Sequence, residues 1–185
     1  GFVMESSVNT MLRYIKEGRI KVDKSKNPDP VTFHDSCNNA RSCGLTEEPC
    51  ELLLLVCEDF REMFPNRAEN YCCTGGGGAM SMSEYTPRRL KSGEVKANQL
   101  KETGAKIVVT SCHNCVDGLG DLIKHYKLDC EVKQLVDLVA EAGVLDELQR
   151  REQRDLDLDP FQLVDLKRPE TPVVEGGLQC HRSHD

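Results

Sequence analysis

Cys72 and Cys73 are adjacent and run straight into Thr74 and four glycines, Gly75 to Gly78. Neighbouring side chains diverge, so a doubled cysteine is an awkward clamp for one small ion. It suits a multi-iron cluster, where each sulfur reaches a different iron. The glycines remove Cβ from the next stretch of chain, which lets backbone N–H groups come close to a large anionic body. Cys37 upstream and Cys112-His113-Asn114-Cys115 downstream complete the set, spaced Cys37-x34-Cys72-Cys73-x38-Cys112-x2-Cys115. Five thiolates exceed the four of a tetrahedral zinc site and the usual four of a cubane cluster.

Ten cysteines in a small secreted protein would suggest a disulfide framework. At 185 residues this chain is too long and too helical in pattern for that, and its cysteines gather into motifs. The expectation is a cytoplasmic, thiol-reduced protein holding a metal centre. A net charge of −7 argues against a nucleic-acid surface. No apolar run approaches the roughly 20 residues of a membrane-spanning helix, so any membrane association would come through partner subunits. No signal-peptide pattern is visible. Gly1, Phe2 and Val3 precede Met4, which suggests a fragment or a processed product.

Val8, Met11, Leu12 and Ile15 follow helical spacing, with Ser6 or Ser7 as cap and Gly18 as stop. A charged connector over 19–30 leads to a short strand at Val31–His34 and a loop at Asp35-Ser36-Cys37. Pro49 opens a helix expected to reach about Met63. A short strand at Glu69–Tyr71 is expected to deliver Cys72 and Cys73. Thr86-Pro87 starts a helix broken near Ser92-Gly93. Lys106–Thr110 is a strand apolar on both faces. A helix through Leu119, Leu122, Ile123 and Tyr126 follows, then a weak strand at Cys130–Val132 and a helix through Leu135, Leu138 and Val139. The expected fold is α/β, a Rossmann-like parallel sheet flanked by helices, with the cysteine loops at the carboxyl ends of strands, where ligand sites collect. The expected domains are 1–142, holding the cysteine motifs, and 143–185, a charged helix and tail that includes Cys180.

His34-Asp35-Ser36-Cys37, Cys72-Cys73-Thr74-Gly75-Gly76-Gly77 and Ser111-Cys112-His113-Asn114-Cys115 together resemble the cysteine-rich CCG domain of the heterodisulfide reductase B/D family, most like the C-terminal part of DsrK-type proteins. The resemblance spans roughly residues 5–142. It implies a noncubane 4Fe-4S cluster held by Cys37, Cys72, Cys73, Cys112 and Cys115, cradled by Gly75, Gly76 and Gly77. Ser36 and His113 stand where prolines are common in the family. It also implies a heterodisulfide-reductase-like oxidoreductase of anaerobic sulfur metabolism. That enzyme reduces the disulfide or trisulfide of a small protein or a coenzyme. The implied partners are other subunits of a redox complex, including a ferredoxin-type iron–sulfur component and a membrane subunit. This chain shows one such module and no ferredoxin run, so the rest is either lost from it or carried by another subunit.

Two other readings stand beside this one. The module is an electron-wiring subunit of a glycolate-, lactate- or quinone-linked oxidoreductase, or it is a zinc-binding interaction domain. Gly75–Gly78 lack the lysine and hydroxyl residue of a phosphate loop. His113, and less so His34, are candidates to donate a proton to a leaving thiolate, because histidine titrates near neutrality. Cys50 and Cys57, seven apart, read as small core hydrophobes. Cys43, six residues after Cys37 and beside Gly44, is the one other cysteine near a motif.

Serine replacements separate these groups. Cys72→Ser or Cys73→Ser is expected to abolish cluster assembly and destabilise the fold, since metal binding and folding are coupled. Cys50→Ser and Cys57→Ser are expected to leave iron content unchanged. Iron analysis of the four purified variants checks this.

Overall fold

Apolar residues that alternate along Val31–His34 and fill both faces of Ile107–Thr110 demand a sheet covered on two sides. The structure, a computed structural model, describes residues 4–144 and provides that arrangement. The charged segment from Leu145 onward, with Cys180, lies outside the described residues. Three parallel strands, β1 (Val31–His34), β2 (Ile107–Thr110) and β3 (Glu131–Gln134), stand in the order β1-β2-β3. Val31 lies beside Ile107, and Ile107 beside Glu131.

Among the described residues the α-helices are α1 (Ser7–Lys16), α2 (Glu48–Val56), α3 (Thr86–Ser92), α4 (Glu94–Thr103), α5 (His113–Tyr126) and α6 (Leu135–Ala142). Ser6 caps α1 by accepting from the Val8 N–H, and Gly18 follows its end at φ 72°. Gly93 separates α3 from α4 as the sequence suggests. On one face of the sheet, Val31, Phe33, Ile107 and Val109 pack with Val8, Leu12, Leu53, Leu138 and Val139 from α1, α2 and α6. On the other face, Val108 packs with Leu100 of α4 and Leu119 of α5. The period-two alternation sends Thr32, His34 and Thr110 to this second side, and all three are buried.

The sequence reading differs from the structure at two elements. The helix opened at Pro49 ends at Val56 rather than near Met63, because Cys57 turns the chain extended. The next residues run along the open edge of β1. There the Val31 N–H donates to the Asp59 carbonyl and the Arg61 N–H to the Val31 carbonyl, both at 2.8 Å. An unpaired strand edge is satisfied by this segment, and the pairing outweighs helix continuation. The strand expected at Glu69–Tyr71 is absent. Residues 67–69 form one 3-10 turn, and the Ala68 and Asn70 carbonyls accept from the Arg41 guanidinium at 2.8 and 2.6 Å rather than from a neighbouring strand. Among the described residues no helix is long and apolar enough to cross a membrane.

Asn27 ties the first layer together. Its buried side-chain amide donates to the Val56 carbonyl at the end of α2 (2.7 Å) and to the Leu138 carbonyl in α6 (3.0 Å). Asn27→Ala removes both bonds and strands the Val56 carbonyl, so a loss of about 1–3 kcal/mol in urea unfolding is expected, with the cysteine motifs untouched.

Candidate metal centre

The carboxyl ends of β1 and β2 point at one place. Three residues past β1, Cys37 starts a π-helical turn over Asn38–Ser42. Two residues past β2, Cys112 caps α5 and accepts from the Cys115 and Val116 N–H groups through its carbonyl, both at 3.1 Å. Cys115 lies in the first turn of α5, where the helix N-terminus favours negative charge. The Cys72-Cys73 segment crosses above, and its turn is completed by Gly77 and Gly78 at φ 68° and 75°, values that favour glycine.

These three segments are bonded to one another. Asn39, after Cys37, donates to the Ser111 hydroxyl at 2.6 Å, which joins the β1 loop to the β2 loop. Arg41 binds the Ala68 and Asn70 carbonyls, joining the β1 loop to the doubled cysteine. The Asp35 carboxylate accepts from the Arg67 N–H at 2.8 Å. The doubled cysteine also meets α5 backbone to backbone. A Cβ on Gly75 would lie 2.0 Å from the Asn114 carbonyl oxygen, and one on Gly118 would lie 2.5 Å from that of Cys73.

The result is a cavity of about 500 Å³ whose wall includes Cys37, Cys72, Cys73, Cys112 and Cys115, together with Gly76, Gly77, Asn38 and Asn114. All five sequence-predicted cysteines are therefore brought together. Gly76 and Gly77 line the cavity. Gly75 serves the close approach to α5, and its N–H donates to the Cys73 sulfur at 3.4 Å, as the Thr74 N–H does to the Cys72 sulfur at 3.2 Å. Cys73 and Cys115 are buried and belong to the second core.

The sulfurs are crowded. Cys73 Sγ lies 3.1 Å from Cys115 Sγ. That contact with Cys115, ahead of burial, pushes the Cys73 thiol up to about 11. The Cys72 thiol is raised too, first by its hydrogen bond to Cys73 and then by burial. Thiolates this close repel unless a cation lies between them, and a cationic iron–sulfur core relieves that repulsion. The number and placement of the sulfur donors, the N–H groups aimed at them and the space between them fit an iron–sulfur cluster.

Beneath the cavity lies a buried polar floor that the sequence reading treated lightly or missed. His34 has no exposed surface, neither ring nitrogen has a partner, and the ring sits within reach of the Cys73 and Cys115 sulfurs. Burial, with Lys96 nearby, holds its pKa well below the usual histidine value. Asp35 is buried, with one carboxylate oxygen unpartnered, and burial raises its pKa. Lys96 of α4 is 1% exposed. Burial lowers its ammonium to about 8, against the pull of Asp35, Cys73, Cys72 and Cys115. Nothing in the sequence separates Lys96 from the other lysines of α3 and α4. Gly118 had a signal: a glycine inside an amphipathic helix often marks a close backbone approach.

His113 is exposed at the head of α5, its Nε2 3.9 Å from Asp117, and is not part of the cavity wall. Cys43 is exposed and also lies off the wall. Cys50 and Cys57 are buried in the first core, and burial raises them to about 12 and about 11. Cys57 lies just past the end of α2 rather than within it.

Residues 31–119 match the CCG family, described as a cysteine-rich domain. The chain is 30% identical over 141 residues to the Hdr-like menaquinol oxidoreductase iron-sulfur subunit of Archaeoglobus profundus, covering 71% of this chain and 25% of that protein. It is 31% identical over 130 residues to the D subunit of the dihydromethanophenazine:CoB–CoM heterodisulfide reductase of Methanosarcina barkeri, covering 69% and 31%. It is 26% identical over 121 residues to the EtfAB:quinone oxidoreductase of Syntrophomonas wolfei, covering 62% and 16%. The chain thus spans less than a third of the length of each of these relatives.

Gly118→Ala is expected to push the doubled-cysteine loop off α5 and to lose most of the bound iron. Gly120→Ala, two residues along the same helix, meets only a Val132 methyl at 3.8 Å and is expected to keep its iron and gain up to about 1 kcal/mol of stability. Iron content and thermal unfolding of the two variants check this.

Proposed function

Over residues 31–119 the chain belongs to the CCG cysteine-rich domain family, and from that premise we propose that it is an iron–sulfur module of a heterodisulfide-reductase-like oxidoreductase, reducing a disulfide or trisulfide at a noncubane 4Fe-4S cluster. The observation that carries this reading is the convergence of Cys37, Cys72, Cys73, Cys112 and Cys115 on one cavity. Five donors, two of them adjacent in sequence, suit a cluster whose irons are not equivalently ligated. When bound, such a cluster supplies electrons one at a time and offers iron to a released thiolate. Cleavage of the S–S bond consumes two electrons and two protons and yields two thiols.

This chain's residues divide the remaining work. The five thiolates hold the core. The Thr74 and Gly75 N–H groups donate to the Cys72 and Cys73 sulfurs and stabilise their negative charge. His113, exposed between Cys112 and Cys115 in sequence, delivers a proton from the solvent side to a departing thiolate. Cys72 is exposed and also lines a second, largely apolar cavity of about 390 Å³ with Tyr71, Tyr85, Arg88 and Val95. A substrate seated there would approach the cluster beside Cys72. Partner subunits, including a ferredoxin-type component and a membrane subunit, deliver the electrons and complete the enzyme. The names of the Archaeoglobus and Syntrophomonas relatives, both quinone-linked, favour a second reading in which the module only passes electrons.

Electron paramagnetic resonance of the anaerobically purified, oxidised protein separates the two. Disulfide chemistry predicts a new paramagnetic signal when a thiol product is added to the cluster-loaded protein. A spectrum indifferent to thiols favours electron transfer alone.

A further inference from the structure

A buried ammonium needs an anion, and the described residues around Lys96 provide none in direct contact. Its Nζ donates to the Gln99 side-chain oxygen and lies 3.6 Å from the Met63 sulfur. Both neighbours are neutral. The amide of Gln99 is fixed by its own donation to the Pro65 carbonyl at 2.6 Å, so its oxygen is held toward the lysine. Asp35 acts on Lys96 through space only, without a hydrogen bond or ion pair, and its carboxylate is engaged by the Arg67 N–H. The other groups that act on Lys96 are the sulfurs of Cys73, Cys72 and Cys115, which are negative when they hold a cluster. His34, within reach of two of these sulfurs, has no hydrogen-bond partner among the described residues. A charge left this way in a protein interior is costly unless something opposite in sign sits near it.

We propose that Lys96 is the buried counter-cation of the cysteine-held cluster, a positioning residue whose fixed positive charge raises the cluster's reduction potential. The proposal rests on the cluster reading above. Five thiolates around an iron–sulfur core give the site a net negative charge, and reduction adds one more. A cation held near Cys73 and Cys115 in a low-dielectric core stabilises the reduced form over the oxidised one. Lys96 is not part of the cavity wall, so it acts without obstructing a substrate. Its burial also shields it from screening by salt.

The test is a redox titration of the cluster-loaded full chain, followed by electron paramagnetic resonance, on the wild type, Lys96→Met and Gln99→Leu. Lys96→Met keeps the length and apolar stem of the side chain and deletes the charge. Its midpoint is expected to fall below the wild type, and the fall is expected to persist at high salt. Gln99→Leu removes the hydrogen-bond partner and leaves the charge, and is expected to hold the wild-type midpoint. An unchanged midpoint in Lys96→Met, or equal shifts in both variants, overturns the proposal. If Lys96→Met fails to retain a cluster, iron content decides: recovery in Lys96→Arg supports the charge, and equal loss in Lys96→Arg overturns it. Wild-type protein without iron would refute the cluster reading itself, which keeps the two failures apart.

Discussion

The doubled-cysteine loop and the first turns of α5 touch backbone to backbone, and the site depends on that contact. Gly75 lies against the Asn114 carbonyl and Gly118 against the Cys73 carbonyl, each with no room for a Cβ. No side chain intervenes, so main-chain van der Waals contact brings the backbones that carry Cys73 and Cys115 close together. Their sulfurs end up 3.1 Å apart. The sheet fixes the other half of the arrangement. β1 and β2 are in register from Val31–Ile107 to His34–Thr110, so Cys37 and Cys112 emerge from adjacent strands at the same level. Asn39 ties these two loops to each other, and Arg41 fastens them to the segment that leads into the doubled cysteine.

Much of this was legible in the sequence because local signals agreed with the global fold. Ile107-Val108-Val109 is apolar on both faces because the sheet is covered on both faces. Ser6, Pro87 and Gly93 mark helix boundaries by backbone chemistry that holds in any tertiary setting. The misreadings arose where tertiary partners decide. The apolar pattern past Leu55 continues a helix in isolation, but the vacant edge of β1 claims residues 59–61. The residues before Cys72 look extended, but Arg41 from a distant turn takes their carbonyls. The five cysteines were found by spacing. Lys96 was not, because a lysine on an amphipathic helix reads as surface until its neighbours in space are known.

The site joins two kinds of chemistry. Sulfurs and N–H groups from loops form a cage that suits a large cluster whose net charge, thiolates included, is negative. Below it, His34, Asp35 and Lys96 form a floor whose polar atoms are largely without protein partners. Buried polar groups without partners are rare in native proteins, and they gather where function needs them. An inert structural zinc knot would leave such a floor unexplained, because four ligands satisfy a tetrahedral ion completely. A five-sulfur cage above a floor that holds the buried Lys96 ammonium suits an iron–sulfur cluster. The relatives carry their matching segment within much longer chains, of which it makes up 25% and 31%.

The account stands or falls on the inorganic content of the cavity. Iron, zinc and acid-labile sulfide should be quantified on protein purified without oxygen. One cluster per chain, about four iron and a comparable amount of sulfide, with negligible zinc, is the expected result. One zinc per chain with neither iron nor sulfide would contradict it.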